Sequence, residues 1–541
     1  MKKSRFYIFT LVSLMAGAVL TSCNDFLDEL PDNRMELKNA EELSYLLVNA
    51  YPGTHPTAIL EWASDNADEY DNTSWTGERF QEQAYRWKPI TEASDNESPK
   101  MLWDQYYASI ENANQVIKFV DESGDAASYG PQLGEALILR AYSMFTLSTV
   151  FCQAYDEATA NAANSGMPYP EKPQETVGVV YERGTVAELY QKVERDIERA
   201  IPLIQNNYAK PKYHFTKSAA YAFAARFYLY YHKPEKAIEY ANAVLGSNPE
   251  AMLRDWQSWN ALSANKMVQP NAYISSNVEA NLLLLPVYTG WGMYMGPYMI
   301  GEKFTHGHMV ADTETISASG PWGNTQDAMG FQVFYNSDMA SKFLRKPAFL
   351  FEYLDIQAGT GYRHSVYPVF TTDETLLVRA EAKILLNDLD GALADINAEL
   401  SKLTVNGVRL TQATINDFYN GISYYTPTSP TPKKELHPWF DLTNGSDKEN
   451  MLQCLLHLRR IVTIHEGLRF QDIKRYGMTI YRRRINKSNQ ILEITDTMKK
   501  GDPRFAFQLP QEVTSIGLAP NPVKATSESD IQEIATSNIK K

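Results

Sequence analysis

Cysteine is scarce in this chain: Cys23, Cys152 and Cys454 are the only three among 541 residues. That excludes a disulfide-built scaffold, which devotes far more of its length to paired thiols. Basic charge is also short. Lys and Arg number 51 against 65 Asp and Glu, for a net charge of −14, and this excludes the basic surface on which nucleic-acid binding depends. Past the N-terminus no apolar run reaches the roughly 20 residues of a membrane-spanning helix. Enzyme signatures are missing as well. There is no G-x-S-x-G elbow. Gly290 to Gly296 misses the dinucleotide fingerprint by one residue and runs into Pro297. Arg469 stands where a zinc-protease helix opened by His465-Glu466 needs its second histidine. His306 and His308 lack a third ligand, and Asp65, Asp68 and Asp71 lack EF-hand spacing. These acids read as solvated loop residues, so no cofactor is expected and calcium is unsupported.

What is there begins with an address. Lys2, Lys3 and Arg5 precede an apolar stretch, 6–20, that is too short to span a bilayer. A positive start, a short apolar middle and small residues at a cut are the parts of a secretory signal peptide. Leu20-Thr21-Ser22-Cys23 resembles the bacterial lipobox; the other reading is an ordinary signal peptide with a cysteine there by chance. On the lipobox reading 1–22 are removed and the mature chain starts at lipidated Cys23, held to a membrane by several acyl chains. Asp25, Asp28, Glu29 and Asp32 follow at once. They read as a solvated tether, and they resemble the surface-export signal of Bacteroidetes-type lipoproteins, which places the protein on the outer membrane facing outward. Cys152 and Cys454 lie in apolar, helical-looking stretches and read as buried thiols, with a disulfide between them left open.

The body is helical and repeats itself. The stretches 219–245 and 374–400 each show a helix, a turn (at His232-Lys233-Pro234 or Asn387-Asp388-Leu389) and a second helix. Ala225 and Ala380, and Ala237 and Ala392, fall where two helices must approach closely, as in tetratricopeptide units. A third helix is read at 133–151, with 185–204 as its partner, where Leu189, Val193, Ile197 and Ile201 form one apolar stripe. The expected fold class is therefore mostly α: a tetratricopeptide-like helix-pair scaffold with long irregular insertions and few short strands. The insertions are read at 61–89 and at about 256–367, and the proline-rich stretch 424–441 is read as a loop. Two regions follow the leader, 23–245 with the first helix pairs and 246–541 with the larger insertion and the last pair.

The C-terminal quarter carries a family pattern. "LRRIVTIHEGLRFQDIKRYGM" contains Arg459, Arg460, Glu466, Gly467, Arg469, Phe470, Asp472, Lys474, Arg475 and Gly477, and it resembles a signature of the SusD/RagB family. "RFAFQLPQEV" followed by Asn521-Pro522 is similar to that family's closing segment. Val462 stands where the family usually has a glutamate, and the usual ending is missing. The resemblance implies a non-enzymatic surface lipoprotein that binds an oligosaccharide or polysaccharide. It also implies a partner, a SusC-type TonB-dependent outer-membrane transporter, to which the sugar is delivered. A peptide ligand and a glycoside hydrolase are the alternatives; a hydrolase needs only two carboxylates at the right separation.

A pyranose needs a flat ring against its C–H face and polar groups at its hydroxyl edge. The insertions supply both. Trp75 and Trp87 accompany Asp65, Asn66, Asp68 and Arg79; Trp291, Tyr294, Tyr298 and Trp322 accompany Asn324 and Gln326. At least two of these rings are expected to form an exposed platform; the other possibility is that they anchor their loops from inside. Cell fractionation should recover the chain in the membrane with its leader removed, and a cytosolic chain with its leader intact would refute the lipobox reading.

Overall fold

The computed structural model describes residues 37–524, apart from 72–78, 93–95, 176–178, 180, 266, 295–302 and 336–340. Two compact units are distinguished, Met1–Tyr45 and Leu46–Lys541. The Asn39 side chain accepts from the amides of Glu41 and Glu42 at 3.0 Å and so starts the helix Ala40–Val48, which begins in the first unit and ends in the second. No helix among the described residues is long and apolar enough to cross a membrane.

The second unit is framed by helices whose ends are written in the sequence. α1 (Thr57–Ala63) and α2 (Arg79–Tyr85) lead into α3 (Pro99–Ser123), which starts on Ser98 with a proline in its first turn. α4 (Gly130–Phe151) is buried nearly all round and packs against α3 and α5 (Val186–Ala200). A capping box of Thr185 and Glu188 opens α5, and Arg140 on α4 clamps Asp196 on α5 through bonds of 2.6 and 3.0 Å.

The two repeats match at their caps and turns. α6 (Lys217–Tyr230) starts on Thr216 and turns at His232 into α7 (Pro234–Leu245); α8 (Thr372–Leu385) starts on Thr371 and turns at Asn387 into α9 (Leu389–Leu403). His232 and Asn387 both adopt the left-handed conformation, with φ of 58° and 63°. Ala225, Ala237, Ala380 and Ala392 are wholly buried, as close helix approach requires. α8 also packs against α6 and α7, so the pairs stack although a long stretch of chain separates them. α10 (Asp447–Val462) and α11 (Arg469–Tyr476) complete the frame. The stretch 424–441 holds no helix or strand, as expected.

Two larger sheets are set into this frame. β1 (Asp68–Tyr70), β3 (Phe304–Thr305), β6 (Ile480–Ile485) and β7 (Ile491–Met498) form one, in the order β7-β6-β1-β3, with β1 parallel to β6. β2 (Asn281–Tyr288), β4 (Leu350–Asp355) and β5 (Thr360–Thr371) form an antiparallel sheet in the order β2-β5-β4. The stretch 61–89 is therefore not an irregular insertion. It supplies the fully buried α1, the central strand β1 and α2, because its acidic residues are bound by arginines of the C-terminal quarter. Cys152 and Cys454 are both buried and free, and burial pushes the Cys152 thiol up to about 11.

One glycine of the signature has a strict reason. Gly467 has φ of 76°, and a Cβ there would lie 2.8 Å from the Thr57 Cα. Gly467→Ala is expected to destabilise by about 1–3 kcal/mol, read as a lower urea midpoint; an unchanged midpoint would show that the α1 contact can yield.

Candidate functional site

The tryptophans expected on a platform lie in the core. Trp291 is fully buried; its indole N–H donates to the His465 carbonyl at 3.0 Å, and its ring meets Trp62 edge-on at 5.2 Å. Tyr294, also buried, packs on the same Trp62 ring at 5.5 Å. Trp322 lies 5.0 Å from the His457 ring and donates to Thr325 Oγ1 at 2.9 Å. Trp87 donates to the Ala63 carbonyl at 2.9 Å, with the Arg482 guanidinium 4.0 Å over its ring. An indole whose N–H is satisfied inside can be buried whole, and this corrects the expectation of exposure for Trp87, Trp291, Tyr294 and Trp322. Trp75 and Cys23 lie outside the described residues. Arg79 is exposed at the start of α2. Asn324 is exposed but committed: its Nδ2 donates to the Ser317 carbonyl at 3.0 Å, and its Oδ1 accepts from the Asp327 amide at 3.1 Å.

Asp65 and Asp68 are not solvated loop acids. Both oxygens of Asp65 accept from Arg469 at 2.8 Å, and Arg460 lies 3.3 Å away. Both oxygens of Asp68 accept from Arg483 at 2.8 Å. Glu314 ties the two groups together, accepting from Lys434 at 2.6 Å and from Arg460 and Arg483 at 3.0 Å. Burial raises the Asp65 carboxyl, but Arg460 and Arg469 more than offset this and hold it well below the usual carboxylate range. Glu314 is likewise held down, to about 2, against burial by Lys434, Arg483 and Arg460. Burial lowers Lys434 to about 8 despite its two carboxylate partners. These residues form a structural cluster closed to a sugar.

Two small cavities lie beside the core of the described residues. One of about 40 Å³ is lined by His55, Arg226, Tyr273, Trp291, Lys346 and Glu466, and one of similar size lies beyond His55 and Glu466. Each has room for roughly three waters and for no pyranose.

Three exposed tyrosines gather on the β4–β5 hairpin and the adjoining end of β2. Asp355 Oδ1 accepts from the amides of Gln357 and Ala358 at 2.8 and 3.0 Å, and Gly359, with φ of 65°, closes the turn. The register sets Leu350 opposite His364, Phe351 opposite Arg363, Glu352 opposite Tyr362 and Tyr353 opposite Gly361, while Tyr288 of β2 pairs with His364. Alternation then puts Tyr288, Tyr362 and Glu352 on one face and Phe351, Tyr353 and Arg363 on the other. Tyr288 is 44% exposed, Tyr362 48% and Tyr353 57%. The Tyr288 and Tyr362 ring centres are 5.4 Å apart at 65°, and those of Phe351 and Tyr353 are 4.8 Å apart at 69°. At the base, Ser365, Tyr367 and Val287 are buried, so the hairpin is rooted in the core and its outer end stands in solvent. Exposed, mutually braced rings beside carboxylate and guanidinium groups are what a sugar face and edge require. Sequence reasoning placed this segment within the 256–367 insertion but passed over it; the strand-period run "LFEYLDIQAGTGYRH" was the available signal.

Comparison with known proteins bears on the fold and on the N-terminal half of the chain. The family described as "SusD-like_3: Starch-binding associating with outer membrane" matches residues 25–229. The curated SusD-like protein P38 of Formosa agariphila is 25% identical over 287 residues, which cover 49% of this chain and 50% of that protein. Residues 25–229 are thus similar to the SusD-like family. The alignment spans half the length of that curated relative. The SusD-like fold extends over nearly the whole chain: a SusD superfamily protein from Bacteroides thetaiotaomicron matches with a TM-score of 0.61 at 18% identity, over 90% of this chain and 100% of that one. A laminarin-binding SusD-like protein matches with a TM-score of 0.52 at 16% identity, over 90% and 100%.

The buried acids make stability depend on pH. Asp65, Glu314 and Glu374 all titrate below their ordinary range when folded. Their stabilisation is present above the unfolded-state values and is lost as pH falls between about 5 and about 1. Glu399 acts in the opposite sense, because burial and then Asp373 raise it. Asp65→Asn is expected to cost about 3–5 kcal/mol at neutral pH by leaving Arg469 unpaired. The same change should shrink the loss of stability between neutral and acid pH, measured by urea unfolding; an acid limb as steep as in the unaltered chain would refute the assignment.

Proposed function

We propose that this SusD-like protein is a surface lipoprotein, anchored through Cys23 to the outer membrane. It binds oligosaccharide or polysaccharide on the β4–β5 hairpin and delivers it, uncleaved, to a SusC-type TonB-dependent transporter. The family description and the laminarin-binding structural relative support a carbohydrate ligand. The observation that carries the reading is the exposed pair Tyr288 and Tyr362 with Glu352 directly opposite Tyr362.

The rings supply a flat apolar surface for the C–H face of a sugar, and the Glu352 carboxylate accepts from its hydroxyls. The hairpin reaches past the core, so a chain longer than its footprint can lie across it. The proposed binding leaves the glycosidic bond intact: Glu352 and Asp355 lie on one exposed strand, open to water.

Laminarin is the first probe, followed by a panel of plant and algal polysaccharides in affinity electrophoresis. Replacing both Tyr288 and Tyr362 by Ala removes two ring contacts of about 0.5–1.5 kcal/mol each, which amounts to a loss of roughly tenfold or more. Undiminished binding of a glycan that the unaltered protein retains, or hydrolysis of that glycan by the purified chain, would count against this function.

A further inference from the structure

The two faces of the hairpin differ in charge chemistry. On the face with Tyr288 and Tyr362 the charged side chain is Glu352; on the other it is Arg363, directly opposite Phe351 and flanked by Tyr353. Arg363 is exposed, and among the described residues its guanidinium makes no hydrogen bond, ion pair or ring contact. The acids of the hairpin do not neutralise it. Alternation sends Glu352 to the opposite face, and Asp355 lies beyond a register shift with its Oδ1 already accepting two turn amides. The Phe351 ring covers Gly361, where a Cβ would lie 2.8 Å from it. That holds the ring on the face that carries Arg363.

We propose that the face bearing Phe351, Tyr353 and Arg363 is a subsite for a negatively charged sugar residue, its carboxylate or sulfate ester held by the Arg363 guanidinium while the rings take its C–H face. This deepens, and rests on, the carbohydrate reading above. A guanidinium presents a planar fork that matches either oxyanion through two parallel bonds, and it gives up its hydration more readily than an ammonium does. The chain's charge of −14 disfavours a polyanion at long range, but at physiological salt that field decays within about 8 Å. A local pairing at Arg363 therefore decides the contact.

The test compares three probes by isothermal titration calorimetry: a neutral laminarin oligosaccharide, an oligogalacturonate for the carboxylate and a sulfated galactan oligosaccharide for the sulfate ester. The unaltered protein should bind at least one charged probe more tightly than the neutral one, and which charged probe it is distinguishes the two sources. Arg363→Gln should lower affinity for that probe about tenfold or more while leaving neutral binding within twofold, and Arg363→Lys should recover only part because an ammonium lacks the fork. Preference for the neutral probe, or charged binding unaltered in Arg363→Gln, overturns the subsite while leaving the carbohydrate reading standing. Binding of none of the three by the unaltered protein counts against both.

Discussion

The pairing of buried carboxylates with guanidinium groups from the last quarter of the chain is the constraint on which the structure depends. Asp65 and Arg469 are 404 positions apart, and Asp68 and Arg483 are 415. Between these pairs lies every helix repeat. Further inside, Glu374 at the start of α8 meets Arg226 and Arg459, Asp472 meets Arg459 and Arg475, and Glu381 meets Arg475. Such pairs do not stabilise by Coulomb attraction alone, since taking each ion out of water costs several kcal/mol. Their effect is on geometry. A buried carboxylate left without its arginine is so unfavourable that only the arrangement bringing all of them together survives, and the bidentate forks fix orientation as well as distance. The parallel pairing of β1 with β6 and the seating of α1 against the turn at Gly467 follow from that arrangement. At the turn itself the buried Glu61 is held instead by backbone donors, accepting from the amides of His465 and Gly467 at 2.8 and 3.2 Å.

This explains why the signature pattern was visible in sequence while its role was not. The spacing of Arg459, Arg460, Arg469 and Arg475 is a local fact, but their partners are hundreds of residues away in stretches that read as polar loops. Asp65 and Asp68 sit among Ser, Asn and Glu, a composition that argues for solvent; only the fold reveals that each has a counter-charge waiting. The helix pairs were legible for the opposite reason. Their caps, turns and small contact residues lie within one or two turns of each other, so local chemistry specifies them, down to the left-handed residue at the equivalent place in both turns.

The aromatic residues were misjudged for a physical reason too. Tryptophan offers the largest flat face, which makes it attractive for a sugar, and the same area makes it the most favourable ring to bury. Trp62, Trp291 and Tyr294 settle that competition by packing on one another. Trp87 is covered by two arginines. What stays outside is tyrosine, whose hydroxyl tolerates water, carried on strands that leave the core after their inner halves are buried. The alternation of β5 shows the change directly: Ser365, Tyr367 and Val369 are enclosed, while Tyr362 and Arg363 are open.

Mounting rings on a rooted hairpin also suits a protein proposed to hand its ligand on. Each ring contributes on the order of 1 kcal/mol, so a few contacts in an open, wet site give modest affinity and a fast off-rate, the quantity through which affinities are mostly tuned. A closed pocket of the same residues would hold more tightly and release too slowly for transfer. Rigidity recovers part of what openness gives up, because strands already paired and rings already braced lose little freedom when the sugar arrives. The buried ion pairs enter here a last time: Arg226 donates to the Val369 carbonyl at 2.8 Å while its other arm holds Glu374, so the network that closes the chain also fixes the inner half of β5, from which the hairpin extends.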